Sequence, residues 1–207
     1  ESAADYSEVP DSEDKDEQER FLALTQEIAS SAARLVADGD TIMLFAGVLC
    51  RALALKLNTK ASLTVLTNDL EIARHFSSDQ DKRLVLLGGD LNPDELAVYG
   101  TLAMDDLQRF HVDRLFAEVD GFGENFELSV NTQNKAMLIR EGRKRAQEFI
   151  ILCSAAGFEK NAFYSFGSAK TGDMIVTDRT VSDAVKKRFF NSNVRLYTAV
   201  DIFEGAV

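Results

Sequence analysis

The chain has 207 residues, 45% of them apolar, and a net charge of −11, which suits one α/β domain with a sizeable core, or one domain plus an appendage. No apolar run approaches the roughly 20 residues that span a bilayer, and the opening residues are acidic where a secretory signal needs a basic end and an apolar centre. Residues 1–20 hold nine acids against two bases, so the remainder is only mildly acidic and lacks the basic face that gripping nucleic acid requires. Cys50 and Cys153 lie in apolar contexts and read as reduced core thiols of a cytoplasmic protein, without a disulfide.

Residues 1–20 are polar and acidic, contain Pro10, and read as a linker or tail. Residues 21–207 read as one domain. Residues 21–37 predict a helix, because Leu24, Ile28, Ala32 and Leu35 fall on one stripe; Gly39 closes it as a left-handed cap. Residues 41–45 form an apolar run of strand length, Gly47 permits a tight turn, and residues 48–57 continue with helical spacing. In an open α/β sheet, ligands bind at the carboxyl ends of strands, and a helix N-terminus there offers backbone N–H groups to an anion.

Residues 63–66 predict a second strand, and Thr67 or Asn68 can cap the helix that runs to Phe76. Residues 84–87 predict a third, ending in Gly88-Gly89. Residues 90–99 read as a loop, and a helix follows from Gly100 to about Phe110. Residues 113–119 predict a fourth strand with a loop, 120–123, at its carboxyl end. A long helix is expected over 131–147, a fifth strand over 149–153, a sixth over 174–176, a helix over 180–190 and a last strand over 194–198. Strands alternate with helices, and the strands are apolar nearly throughout. That is the pattern of an α/β fold, a mostly parallel sheet with helices on both faces.

The landmarks match a family in order. They run through Asp38-Gly39-Asp40-Thr41-Ile42 and Gly47, then Val65-Leu66-Thr67-Asn68-Asp69-Leu70 and Leu87-Gly88-Gly89-Asp90-Leu91. Gly100, Asp113-Arg114-Leu115-Phe116, Asp120-Gly121, Leu128-Ser129, Ala136, Arg140 and Ile175-Val176-Thr177-Asp178 continue the match. The chain resembles the carboxyl-terminal effector domain of the DeoR family of bacterial sugar-responsive transcription regulators, over about residues 21–200. The resemblance implies a fold like the ribose-phosphate isomerase and CoA-transferase group. It also implies a homo-oligomer that binds a phosphorylated sugar and signals to an amino-terminal helix-turn-helix domain. Nothing before Phe21 reads as such a domain, so DNA contact is expected only through a part absent from this chain. No cofactor is expected.

The chain departs from the family at its loops. The family's first loop reads Asp-Ser-Gly-Thr-Thr; here it is Phe45-Ala46-Gly47-Val48-Leu49, without hydroxyls. Glu118 stands where the family has a small residue, and a carboxylate ~4 Å from a phosphate charge costs about 4 kcal/mol at an effective dielectric of 20. Lys135 stands where the family carries a glutamate, and Ser154-Ala155-Ala156-Gly157 replaces Asp-x-x-Lys. Pocket lining is therefore expected from Gly47, Thr67, Asn68, Gly88, Gly89, Glu118, Asp120 and Lys135, with Ala46, Val48 and Leu49 as the altered wall. The effector would be a sugar phosphate or a less charged metabolite. This reading requires Gly47 and Gly88 to lie close together on one rim. The alternatives are an isomerase or transferase of the same fold, for which Glu118 and Asp120 are the candidate acids, and a dimerisation module with no pocket. His75 and His111 are isolated, the basic run from Arg140 to Arg145 reads as a solvated face, and Phe163, Tyr164 and Phe166 fall in a loop.

Overall fold

The computed structural model describes residues 12–199 and 202–203. The first part of the acidic tail, residues 1–11, lies outside the described residues. In chain order the elements are α1 (Ser12–Ala33), β1 (Thr41–Leu44), α2 (Val48–Lys56), β2 (Thr64–Thr67), α3 (Leu70–Phe76), β3 (Arg83–Leu86), β4 (Asp90–Asn92), β5 (Ala97–Tyr99) and α4 (Thr101–Leu107). They continue with β6 (Val112–Glu118), β7 (Gly121–Phe122), β8 (Glu127–Val130), α5 (Gln133–Arg143), β9 (Ala146–Leu152), β10 (Tyr164–Ser168), β11 (Met174–Val176), α6 (Asp183–Phe190), β12 (Arg195–Tyr197) and β13 (Ile202–Phe203).

Among the described residues the main sheet has eight strands in the order β13-β12-β11-β9-β6-β1-β2-β3. All neighbours run parallel except β13, which pairs antiparallel on β12. Successive strand residues point to opposite faces, and here both faces are covered. Met43 and Phe45 join Leu115, Ile151, Leu138 and Phe189 in one core, under α4, α5 and α6. Ile42 and Leu44 join Phe116, Ile150, Ile28 and Leu53 in the other, under α1, α2 and α3. A strand buried on both sides must be apolar at nearly every position, which is why these runs lack alternation. Gly142 allows α5 to press on β1: a Cβ there would meet Phe45 at 2.7 Å.

Several expectations are corrected. Helix α1 begins at Ser12 instead of Phe21. Its first turns contain Glu, Lys, Gln and Arg and no Gly or Pro, and the charges that suggested a tail are the exposed side chains of residues 15–20. The segment 90–99 is not a loop but the β4–β5 hairpin, paired from Asp90 with Tyr99 to Asn92 with Ala97. Strands of three residues are too short to show a period. The 120–123 loop contains β7, and the aromatic loop contains β10; with β8 they make a small antiparallel sheet. Helix α5 runs only over Gln133–Arg143 because the chain turns into β9, with Arg145 N–H bonded to Gly142 O at 2.9 Å. Helix α3 is capped by Asp69, not by Thr67 or Asn68, through Ile72 N–H at 2.9 Å. Ser182 caps α6 through the Val185 N–H.

Asn68 does something else. It is fully buried, its Oδ1 accepts Ala46 N–H at 2.9 Å, and its Nδ2 donates to Val98 O at 3.0 Å. One amide thus ties the turn after β1 to the β4–β5 hairpin. Replacing Asn68 by Ala leaves two buried backbone groups unpaired, each costing about 1–3 kcal/mol. We expect Asn68→Ala to lose roughly 2–4 kcal/mol in urea unfolding, with a near-native circular dichroism spectrum before the transition.

Candidate functional site

The loops after β1, β6, β9 and β11 meet at the carboxyl rim of the sheet. Helix α2 starts there, and no side chain of its own first turn caps it. The missing acceptor comes from the neighbouring strand: Glu118, the last residue of β6, accepts the Leu49 N–H on Oε2 at 2.8 Å. Gly47 makes room for it, since a Cβ at this position would overlap Glu118 Oε2 and lie 3.0 Å from Cδ. Burial raises the Glu118 carboxyl above its ordinary range; Lys135 and the Leu49 N–H pull the other way, and Asp120 adds to the rise.

Two cavities flank this carboxylate. One, of about 300 Å³, is lined by Ala46, Gly47, Arg51, Glu95 and Lys135 among others. The other, of about 540 Å³, lies under α1 between Glu17 and Ile28 and is lined by Phe21, Leu24, Leu49, Ser154, Lys160 and Asp178 among others. Val48, Glu118, Asp120 and Asn131 border both.

Of the expected lining, Ala46, Gly47, Val48, Leu49, Glu118, Asp120 and Lys135 come together at these cavities. Thr67 and Asn68 are fully buried beneath the rim and hold loops: Thr67 Oγ1 accepts Asp69 N–H at 3.0 Å. Gly88 and Gly89 lie on the same rim, beyond β2 at the end of β3, and border neither cavity. Strand spacing separates β1 from β3 by roughly 10 Å. Gly89 packs on the hairpin, where a Cβ would overlap the Tyr99 carbonyl. The expected closeness of Gly47 and Gly88 is therefore corrected to a shared rim with a strand between.

Sequence reasoning missed Arg51, Glu95, Asp94 and Asn131, and the whole α1 wall. Arg51 bonds Asp69 at 2.7 Å and the Glu95 carbonyl, and Glu95 accepts the Tyr99 hydroxyl, so the hairpin tip is fixed over the smaller cavity. Burial, with Glu95 beside it, pushes the Tyr99 hydroxyl pKa up. A signal for Arg51 existed: it sits one turn past Gly47, on the α2 face above the turn. Asp120 takes the Asn131 N–H at 2.8 Å, and Asp178 takes those of Ala155 at 2.8 Å and Thr180 at 2.9 Å. Both acids therefore hold loops. The basic run is also engaged: Arg143 pairs with Asp173, and Lys144 and Arg145 with Glu141. Cys50 and Cys153 are buried free thiols whose pKa values burial raises.

A parallel sheet with cavities at its carboxyl rim is the layout of an open α/β ligand-binding domain. The model of the DeoR C terminal sensor domain matches residues 23–179, and the chain belongs to that family. Among curated proteins it is 29% identical to the HTH-type transcriptional repressor GlcR of Bacillus subtilis, over 76% of this chain and 60% of that protein. It is 30% identical to the lactose phosphotransferase system repressor of Streptococcus mutans, over 77% of this chain and 64% of that one. The glycerol-3-phosphate regulon repressor of Escherichia coli is 22% identical over 83% of this chain and 68% of its own length. The chain thus spans about 60% of the length of relatives such as GlcR. Solved structures of similar fold include eIF2B delta of Chaetomium thermophilum, with a TM-score of 0.54 at 18% identity over 82% of this chain and 64% of that one. Ribose 5-phosphate isomerase A of Methanocaldococcus jannaschii gives 0.48 at 17% identity, over 67% of this chain and 56% of that one. At 18% identity the likeness to eIF2B delta concerns the fold alone.

Two outcomes check the geometry. Gly47→Ala drives a methyl into the Glu118 carboxylate and should cost about 1–3 kcal/mol; in the double variant with Glu118→Ala most of that cost should vanish, read as a coupling energy in a double-mutant cycle. The second concerns pH. A raised carboxyl pKa means that the native state holds the proton more tightly than the unfolded chain. The stability tied to Glu118 is thus fully present below the unfolded value and is lost as pH rises through the folded one. Glu118→Gln should therefore be more stable than wild type at pH 7, with the gap narrowing as pH falls, in thermal unfolding across a pH series.

Proposed function

We propose that this domain senses a small-molecule effector of carbohydrate metabolism at the carboxyl rim and passes its occupancy to the rest of a DeoR-type regulator without turning the effector over. The observation that carries the reading is the convergence of Gly47, Glu118, Asp120 and Lys135 on rim cavities in a chain of the sensor family. Glu118 and the hydroxyl-free turn make the pocket an altered version of the family's sugar-phosphate site. The names of the relatives, which are repressors of sugar and glycerol phosphate systems, support the ligand class. Against catalysis, Asp120 holds the Asn131 N–H on one oxygen and Glu118 the Leu49 N–H on one oxygen, so both acids already serve to fix loops.

The route of transmission would be α1. Its residues Arg20, Phe21 and Leu24 wall the larger cavity, so an effector there touches the helix that leads to the upstream chain. An effector shifts the balance between two quaternary arrangements of a homo-oligomer only if it binds them unequally. DNA contact belongs to a helix-turn-helix domain outside this chain.

A panel of free sugars paired with their phosphates tests this. At least one member should raise the melting temperature of the purified chain, and ribose 5-phosphate should be recovered unchanged. Conversion of ribose 5-phosphate to a ketose, or a panel that moves nothing, would overturn the reading.

A further inference from the structure

We propose that Glu118 is a tethered anion that sets the ligand class of this rim: it fills the anion seat at the start of α2, so that end of the site reads hydroxyl groups and excludes phosphate. The proposal rests on the sensor reading above and adds the chemistry of the effector.

The seat is built for an anion. A helix N-terminus at the carboxyl rim of a parallel sheet concentrates unpaired N–H groups and the positive end of the helix dipole. In α2 none of the helix's own side chains answers that field. A second, independent feature shows what does. The Glu118 carboxylate reaches across from β6 to the Leu49 N–H at 2.8 Å, through the space that the missing Cβ of Gly47 leaves. A charge-assisted bond of this kind is among the stronger hydrogen bonds in a protein. The residue combination matters: a larger side chain at 47 would close the passage, and a shorter one at 118 would leave the seat open.

The neighbouring charges point the same way. The smaller cavity also presents Asp94, Glu95 and Asp120. Of the two basic residues lining it, Arg51 is already bound to Asp69 and to the Glu95 carbonyl, which leaves Lys135. A phosphate brought here meets a resident carboxylate on the donors it would use. Two like charges at ~4 Å under an effective dielectric of 20 weaken binding on the order of a thousandfold. A hydroxyl meets the opposite situation. Glu118 Oε2 holds the backbone, Oε1 is left to accept from the ligand, and Lys135 donates from the facing helix. The chemistry recognised at this end is that of an uncharged polyhydroxylated compound.

The test uses inorganic phosphate as the probe on the whole chain, by thermal shift against chloride of equal ionic strength. Wild type should show no specific stabilisation. Glu118→Ala, with the seat vacated, should be stabilised by phosphate with a midpoint at least about tenfold below any wild-type response. Glu118→Gln keeps the side-chain shape and an acceptor for Leu49 but removes the charge. It should fall between the two, and it carries the test if the Ala variant does not fold. Equal phosphate responses in wild type and variants, or no response in either variant, overturn the tethered-anion assignment whatever the sugar panel shows. A sugar panel that moves nothing, alongside a phosphate response confined to the variants, removes the sensor reading and leaves the anion seat standing.

Discussion

A carboxylate from one strand lies on the N-terminus of the helix that follows the next strand, and the rim is arranged around that contact. Glu118 is acceptable there because β1 and β6 are parallel neighbours in register from Ile42 with Arg114 to Leu44 with Phe116. The end of β6 therefore overshoots the end of β1 and reaches the turn above it. Gly47 is fixed by the same contact, since its conformation is extended and only the closeness of Glu118 forbids a side chain. Burying the carboxyl there has an energetic cost, visible in the upward direction of the Glu118 pKa, which Lys135 and the Leu49 N–H offset only in part. A half-buried carboxylate with Lys135 and one N–H as its favourable partners is held in place by the scaffold and does not stabilise it.

The scaffold can hold it because the two cores are elsewhere. Both faces of the sheet are closed by helices, and the largest fully buried side chains, including Phe45, Phe76, Phe116 and Phe189, lie in those cores. What remains open is the rim, where loops have few apolar contacts. They are kept in shape by one recurring device: a polar side chain just after a strand accepts a backbone N–H from an adjoining loop. Asn68 does this for Ala46, Asp120 for Asn131, and Asp178 for Ala155 and Thr180. Such side chains resemble catalytic acids in a sequence, yet their oxygens already hold the loops.

This explains which parts were legible in the sequence. The parallel sheet was readable because β1 and residues 149–152 of β9 are apolar nearly throughout, a pattern that burial on both faces enforces. The rim cluster of Gly47, Glu118, Asp120 and Lys135 was readable because each sits at or just beyond a strand end or at a helix start, where an α/β fold places its ligands. The hairpin β4–β5 was not readable, because Asp90-Leu91-Asn92 and Ala97-Val98-Tyr99 are paired by backbone bonds with too few residues for a period. Gly88 and Gly89 were misplaced for a related reason. With the hairpin read as a loop, nothing indicated that Tyr99 occupies the space beside Gly89. The roles of Arg51 and Glu95 depend on that hairpin as well, so they were hidden with it. The early start of α1 was masked by charge, which reports solvent exposure and not the absence of helix.

Helix α1 also shows how a rim site can communicate. Its packing is graded along its length: Ile28, Ala29 and Ala32 are fully buried, whereas Phe21 and Leu22 are about half exposed, at 52% and 54%. Toward the carboxyl end the helix is held by core contacts, and Glu27 adds a bond from Arg179 N–H at 2.6 Å. The larger cavity runs beneath the helix from Glu17 to Ile28, and its more exposed wall is at Phe21. Segments with few buried apolar contacts open at low free energy, so the amino-terminal turns are the part of α1 whose position a ligand can change. A molecule in the cavity would give Phe21 and Leu24 a surface to pack on, while the end anchored at Ala29 and Ala32 stays fixed. In the sensor reading proposed above, occupancy at the rim becomes order in one end of one helix, a change local in origin.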